Sequence, residues 1–332
     1  MKSVVINGFG RMGRLALRHS LDRPELDVVA INDPAMDAGQ AAHLVQFDSI
    51  HGRWAHAVEV DGDALMIGER RIRFSRHADL PSLTASVRAD LALECSGKYR
   101  DQDALSPWAQ AVAHTIVSAP VAGGAPNVVV GVNDAAFDPQ RDPVVSAASC
   151  TTNCLAPVVS VLQAAFGIRH GLITTIHAAT NTQRVLDAAH KDLRRARATG
   201  ENLIPTTTGS AKAISSIFPE LEGRLNGMAV RVPVLNSSIT DAVFELQRAV
   251  DVETVNAAFK AAADGRLRGI LGYEDRPLVS SDFRSDTRSG IVDALSTLVV
   301  DGTQVKVIAW YDNETGYVCR MLDLADRIAT TS

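Results

Sequence analysis

Gly8-Phe9-Gly10-Arg11-Met12-Gly13 lies between a short apolar run and a helical one, and nothing else in the chain limits its fold so tightly. Residues 3–7, Ser-Val-Val-Ile-Asn, read as a buried strand. Residues 15–21 continue as a helix, and residues 26–31 read as a second strand with Asp33 just beyond it. Each glycine does something mechanical. Gly8 turns the chain, Gly10 lets a pyrophosphate approach the backbone, and Gly13 lets helix pack on strand. The helix start then offers free amides to phosphates. Asp33 follows Gly13 by 20 residues, the spacing of an acid that accepts from a ribose 2′-hydroxyl. A carboxylate there repels a 2′-phosphate, so the pattern favours NAD over NADP. The bland alternative, a glycine turn with an unrelated surface acid, leaves the flanking strand, the helix and the spacing unexplained.

Further strands are expected at residues 89–94, 115–118 and 128–132, with hairpin-like structure at 61–73. That alternation fits a doubly wound, mostly parallel sheet. The expectation is an α/β Rossmann NAD-binding domain over residues 1–149, with a C-terminal helix, 316–332, packing back on it.

The run Ser149-Cys150-Thr151-Thr152-Asn153-Cys154 falls where a strand gives way to a helix. A cysteine reacts as thiolate, and the amides and dipole of a helix start raise the ionised fraction. Most cysteines are inert packing, so Cys150 has both readings open on local pattern alone. Cys154 falls one turn below it and reads as core. A CxxxC metal site is disfavoured because no second ligand cluster follows, and no metal is expected.

Residues 150–315 read as an α+β catalytic domain with a mostly antiparallel sheet. The stretch 170–177 alternates as a strand and ends on His177, a structural residue or a base able to share a thiol proton. Residues 184–200 carry Arg184, Lys191, Arg194, Arg195 and Arg197, a solvated face or a phosphate clamp. Pro205-Thr206-Thr207-Thr208-Gly209 reads as a hydroxyl-rich loop entering a helix at 211–218, suited to an oxyanion. Arg231 stands in the apolar Val230-Arg231-Val232-Pro233 and needs an internal acid or a bound phosphate as partner. Strands at 238–247 and 297–310 follow, the latter a hairpin about Asp301-Gly302, with helices at 252–262 and 318–328.

With 332 residues, 46% hydrophobic, the chain can build one large or two ordinary cores. Its net charge of -5 does not favour nucleic acid or an anionic membrane surface. Four irregularly spaced cysteines fit a reducing compartment. Met1-Lys2 runs straight into a strand, and no apolar run is long enough to cross a membrane, so a cytoplasmic protein is expected.

Taken together, INGFGRMGR, SCTTNCLAP, HKDLRRARA, IPTTTG, NGMAVRVP and WYDNE resemble phosphorylating glyceraldehyde-3-phosphate dehydrogenase, in its order and spacing, over essentially the whole chain. The resemblance implies Cys150 as nucleophile and His177 as the base that also stabilises the thiolate. Thr180 and Arg231 would bind the C3 phosphate of glyceraldehyde 3-phosphate. Ser149, Thr151, Thr208, Gly209 and Arg195 would bind the attacking inorganic anion. Asn313 would hold the nicotinamide carboxamide and Tyr317 would lie near the ring. Gly8, Gly10, Arg11, Met12, Gly13, Asp33 and Ser118 would hold the rest of NAD. Members of that family are typically cytoplasmic homotetramers.

Several positions depart from the family pattern. Thr315 stands where Trp is usual, Ala147 where Asn is usual, and Thr182 where bacterial members often carry Asp. Ala188-Ala189 replaces Leu-Pro, which leaves room for some use of NADP. GRMGRLALR, INDPAMD and HLVQFDSIHGRW resemble variants found beside arsenical efflux permeases, in which arsenate replaces phosphate and 1-arseno-3-phosphoglycerate is made for export. The rivals are erythrose-4-phosphate dehydrogenase, which lacks the threonine-rich loop in this form, a cofactor-free cysteine hydrolase, and a non-catalytic binding protein on the same fold.

Overall fold

The computed structural model describes residues 1–331. The chain divides into two compact units, Met1–Ser149 with Val318–Ser332, and Cys150–Tyr317. No helix among the described residues is long and apolar enough to cross a membrane.

The first unit is built on β1 (Lys2–Asn7), α1 (Arg11–Ser20), β2 (Leu26–Asn32), α2 (Ala38–Gln46), β3 (Glu59–Asp61), β4 (Ala64–Ile67), β5 (Arg70–Ser75), α3 (Leu80–Ser86), β6 (Leu91–Glu94), β7 (His114–Val117) and β8 (Val144–Ser146). The sheet runs β8-β7-β6-β1-β2-β5-β4-β3. All pairs from β8 to β5 are parallel, and β5-β4-β3 form an antiparallel meander at one edge. The apolar stretches Val4–Ile6 of β1 and Leu91–Leu93 of β6 are buried on both faces, as in a sheet covered on each side. Val5, Ala92 and Val117 of the sheet pack with Leu80, Leu83, Leu105 and Trp108 on one face. Asp37 starts α2 with a reciprocal capping box to Gln40.

Residues 128–132 do not form the expected strand. Side chains take the amides that a ladder needs: Val129 N–H donates to Asn133 Oδ1 and Gly131 N–H to Asp134 Oδ1. Gly131, at φ 81°, completes the turn.

The second unit comprises α4 (Cys150–Phe166), β9 (Ile168–His177), β10 (Ile204–Thr207), α5 (Ser210–Ile217), β11 (Leu225–Arg231), β12 (Ser238–Leu246), α6 (Val252–Asp264), β13 (Leu271–Glu274), β14 (Gly290–Asp293), β15 (Leu298–Val300) and β16 (Gln304–Tyr311). α7 (Thr315–Thr331) follows, and its body belongs to the first unit. The sheet runs β10-β11-β9-β12-β16-β14-β13, with β15 paired to β16. Only β11-β9 and β13-β14 are parallel. Helix α4 is buried on nearly every side, and Leu155, Val158, Val159 and Leu162 meet a sheet face that includes Ile173, Ala242 and Ala309. Residues 204–207 are a correction: the threonine-rich stretch is a strand before it is a loop. It forms the sheet edge, antiparallel to β11, where Pro205 is tolerated.

Candidate active site

Cys150 is the first residue of α4, and Ala148, two residues before it, holds a left-handed φ of 56°. Such a conformation costs energy in a residue with a Cβ and persists only where its surroundings enforce it. The Cys150 Sγ lies 3.6 Å from His177 Nε2 and 4.0 Å from Thr151 Oγ1. His177 closes β9 and Arg231 closes β11, and the parallel register makes them direct neighbours. Arg231 Nη1 stands 2.5 Å from His177 Nδ1 and donates to the Ala178 carbonyl at 3.2 Å. Its Nε is buried without a partner, so the guanidinium is short of an acceptor.

Burial and the helix start pull on the pair in opposite directions. Burial pushes the Cys150 thiol up, against the opposing pull of Arg231 and Thr151. Burial, then Arg231, pushes His177 down to about 3. Both shifts disfavour the charged forms: desolvation works against the stabilisation that the helix start and Arg231 offer a thiolate. Tyr311, edge-on to His177 at 6.0 Å, bonds its hydroxyl to Thr151 Oγ1 at 2.9 Å.

Beside this pair, Arg195 Nε donates to Thr206 Oγ1 at 2.9 Å, and its charge reaches both His177 and Arg231. Asp192 lies 3.6 Å from Arg195 and accepts from Thr206 Oγ1 at 2.7 Å, so the cation is partly balanced. Gly209 caps α5 and has no side chain to give it; instead Thr208 Oγ1 accepts from Ser210 N–H at 3.3 Å and donates to Ser210 Oγ at 3.0 Å. Thr180 turns its hydroxyl to Thr182 at 2.8 Å. Ser149 is half-buried immediately before the cysteine. Asn313 Oδ1 accepts from Ser238 Oγ at 3.0 Å, and Tyr317 is buried in the first turn of α7.

In the first unit a cleft is lined by Gly8, Gly10, Asp33, His77, Ser96 and Lys98, among others. A Cβ on Gly8 would fall 2.4 Å from Ser96 N, and one on Gly13 2.0 Å from Gly8 O, whereas at Gly10 nothing lies within 4 Å. The turn is thus closed where helix packs on sheet and open where a phosphate must pass. No side chain caps the start of α1. Asp33 Oδ2 accepts from Phe9 N at 2.8 Å and Oδ1 from Ala35 N at 2.9 Å, each oxygen keeping a lone pair. These residues fit a dinucleotide. Arg11 does not offer its side chain to it, because the guanidinium is paired with Asp48. Met12 and Ser118 lie outside the lining of this cleft.

Residues 2–102 match the model of the glyceraldehyde 3-phosphate dehydrogenase NAD-binding domain, and residues 149–313 that of its C-terminal domain. The chain belongs to the glyceraldehyde-3-phosphate dehydrogenase family. It is 57% identical over 331 residues to glyceraldehyde-3-phosphate dehydrogenase 3 of Nostoc sp., covering 98% of each chain. The enzyme of that name from Geobacillus stearothermophilus is 49% identical over 98% of both chains. Glyceraldehyde-3-phosphate dehydrogenase 1 of Saccharomyces cerevisiae is 41% identical over 99% of both. NAD is the cofactor of this family, and the cleft lies within its NAD-binding domain.

Sequence reasoning missed Tyr311, Ser238 and Asp48. Tyr311 lies inside the WYDNE motif, two residues before Asn313, which is the only signal for it. Ser238 and Asp48 carry none, since their partners are distant in the chain.

Proposed function

We propose that this chain oxidises D-glyceraldehyde 3-phosphate with NAD and inorganic phosphate to 1,3-bisphosphoglycerate, through a thioester on Cys150. The observation that carries the reading is the Cys150–His177 pair with the under-satisfied Arg231 guanidinium beside it. Arg231, with Thr180, binds the C3 phosphate, which supplies the missing acceptors. His177 Nε2 takes the thiol proton as Sγ bonds to the aldehyde carbon, then passes it to the oxygen to give a hemithioacetal. His177 next removes that hydroxyl proton as the C–H bond breaks with its electron pair, leaving a thioester. NAD would supply the hydride acceptor; Gly8, Gly10, Gly13 and Asp33 of the first unit would hold its phosphates and ribose, and Asn313 is the residue that the family resemblance assigns to its carboxamide. Inorganic phosphate, held by Arg195, Thr208, Gly209, Thr151 and Ser149, attacks the thioester carbonyl. The thiolate leaves and recovers its proton from His177.

Arsenate has nearly the same charge and shape as phosphate and fits the same cluster, so export-linked arsenylation belongs to the same reading. None of the four cysteines forms a disulfide among the described residues, which suits a cytoplasmic setting. Self-association as a homotetramer is part of the proposal, and exposed Leu172, Ile176 and Met228 support it.

The test is initial NADH formation from glyceraldehyde 3-phosphate, titrating phosphate and arsenate separately, with erythrose 4-phosphate as a third arm. Phosphate-dependent turnover supports the reading. A clear kcat/KM preference for arsenate assigns the arsenylating role instead, and faster turnover of erythrose 4-phosphate overturns both.

A further inference from the structure

Thr206 lies on the edge strand β10, opposite Ala229 of β11, and is buried. Its hydroxyl stands between two opposite charges. Arg195 Nε donates to Thr206 Oγ1 at 2.9 Å, and Thr206 Oγ1 donates to Asp192 Oδ2 at 2.7 Å. The direction of this chain is fixed at both ends, because a guanidinium can only donate and an ionised carboxylate can only accept. The bond from Thr206 itself lowers the pKa of Asp192 and so keeps it ionised. Arg195 Nε and Asp192 Oδ2 are 3.6 Å apart, just beyond a direct hydrogen bond.

Two of the three groups are anchored without the third. The ladder to β11 holds Thr206. Asp192 Oδ1 accepts from Arg194 N–H at 2.9 Å, and the Asp192 N–H donates to His190 Nδ1 at 2.9 Å. Arg195 is held least: besides the Thr206 bond, its Nη2 makes a long contact of 3.5 Å with the Thr207 carbonyl. Its charge is nevertheless felt at His177 and Arg231, so it belongs to the surroundings of the catalytic pair. An arginine and a carboxylate this close favour a bidentate pair, which would occupy the Nη hydrogens that an anion needs. The hydroxyl between them blocks that closure.

We propose that Thr206 is a positioning residue for the attacking inorganic anion: its hydroxyl is a spacer that ties down Arg195 Nε, keeps the guanidinium from closing onto Asp192, and leaves the Nη edge to the anion. The inference rests on the reading of Arg195 as part of the inorganic-anion site.

The phosphate dependence of steady-state NADH formation tests it, with single-turnover NADH formation in the absence of phosphate as a second readout. Thr206→Val keeps the shape and removes the spacer. It raises the phosphate KM about tenfold and changes the phosphate-free step by less than about twofold. Thr206→Ala gives the same pattern, and Thr206→Ser, which keeps the hydroxyl, restores the wild-type KM. Asp192→Asn removes the competing charge. It lowers the phosphate KM by more in the Thr206→Val background than in the wild type, because the guanidinium then has no carboxylate to close onto. An unchanged phosphate KM in Thr206→Val overturns the proposal, as does an equal effect of Asp192→Asn in both backgrounds. A phosphate-free step that falls as far as the phosphate-dependent one also overturns it, by making Thr206 a support of the fold. Arg195→Gln raises the phosphate KM about tenfold or more. If it does not, the anion-site reading itself fails, and the inference with it.

Discussion

Arg231 Nη1 and the Ala178 carbonyl both press on His177 Nδ1, at 2.5 Å and 2.7 Å, and a neutral imidazole can satisfy only one of them. If Nδ1 accepts from Arg231, the ring proton sits on Nε2 and faces Cys150, and the imidazole is no base for the thiol. If Nδ1–H donates to Ala178, Nε2 is free to accept, but Arg231 must turn elsewhere. A phosphate on Arg231 gives it that elsewhere, so substrate binding and activation of the base are one event.

Arg231→Leu is therefore expected to lower kcat/KM for glyceraldehyde 3-phosphate by about a hundredfold or more, from loss of a charge-assisted bond at a buried site. Turnover of unphosphorylated glyceraldehyde, which cannot draw Arg231 away in the wild type, should rise in the variant, because Nδ1–H is then free to donate to Ala178 and Nε2 to accept from Cys150. Steady-state kinetics with both aldehydes decides, and equal losses on the two would defeat the coupling.

The same pair fixes a pH dependence of stability. The folded pKa of His177 lies at about 3, below the ordinary 6.5, so its contribution is fully present above pH 6.5 and is lost as pH falls towards 3. The unfolded chain takes up the proton first. Between pH 6 and 4, wild type should lose about 1.4 kcal/mol per pH unit more than His177→Asn. Urea midpoints at three pH values measure the difference, and parallel lines for the two proteins would refute it.

The glycine turn predicts two separable lesions. Gly13→Ala drives a Cβ into the Gly8 carbonyl, 2.0 Å away, and should destabilise the first unit by about 1–3 kcal/mol. Gly10→Ala meets nothing within 4 Å and should leave the melting temperature unchanged while weakening NAD binding. Thermal melts and NAD titrations of both variants check this. A Gly10→Ala protein that binds NAD normally would remove the pyrophosphate from that surface.

Much of this was legible because its signals are local. The GxGxxG turn needs only neighbours within a dozen residues, and Cys150 announces itself by standing at a strand–helix boundary. His177 and Arg231 could be named from the sequence, but not their adjacency, which depends on the β9–β11 register. The opposing pull of burial on the thiol could not be read, because desolvation is a property of the packed site and leaves no mark on the CTTNC segment. Residues 128–132 misled for a related reason: their apolar pattern is real, but Asn133 and Asp134 compete for the amides. Ser238 was invisible, since its partners Ala178 and Asn313 lie 60 and 75 residues away.

One face of the second sheet bears on assembly. Leu172 and Ile176 alternate outward along β9, 68% and 36% exposed, and Met228 on β11 adjoins them. Contiguous exposed apolar surface of this kind marks an interface. Sedimentation at micromolar concentration should find a multimer of the 35.4 kDa chain, and Leu172→Glu should reduce its mass. A wild-type monomer would count against self-association.

Thr315 offers the most economical check on the packing around the start of α7. Its backbone N–H donates to Asp312 Oδ1 at 2.8 Å, which caps the helix, but the residue is 1% exposed and its hydroxyl is without a partner. A buried hydroxyl with nothing to bond has lost its water and gained no replacement. Thr315→Val keeps the shape and the backbone bond while removing that liability, so it should be neutral or stabilising by up to about 1 kcal/mol. NAD affinity should stay the same, because Asp312 still fixes the turn that carries Asn313. A melting temperature several degrees lower in Thr315→Val would mean that the hydroxyl is bonded in solution, and the environment of α7 would then need another description.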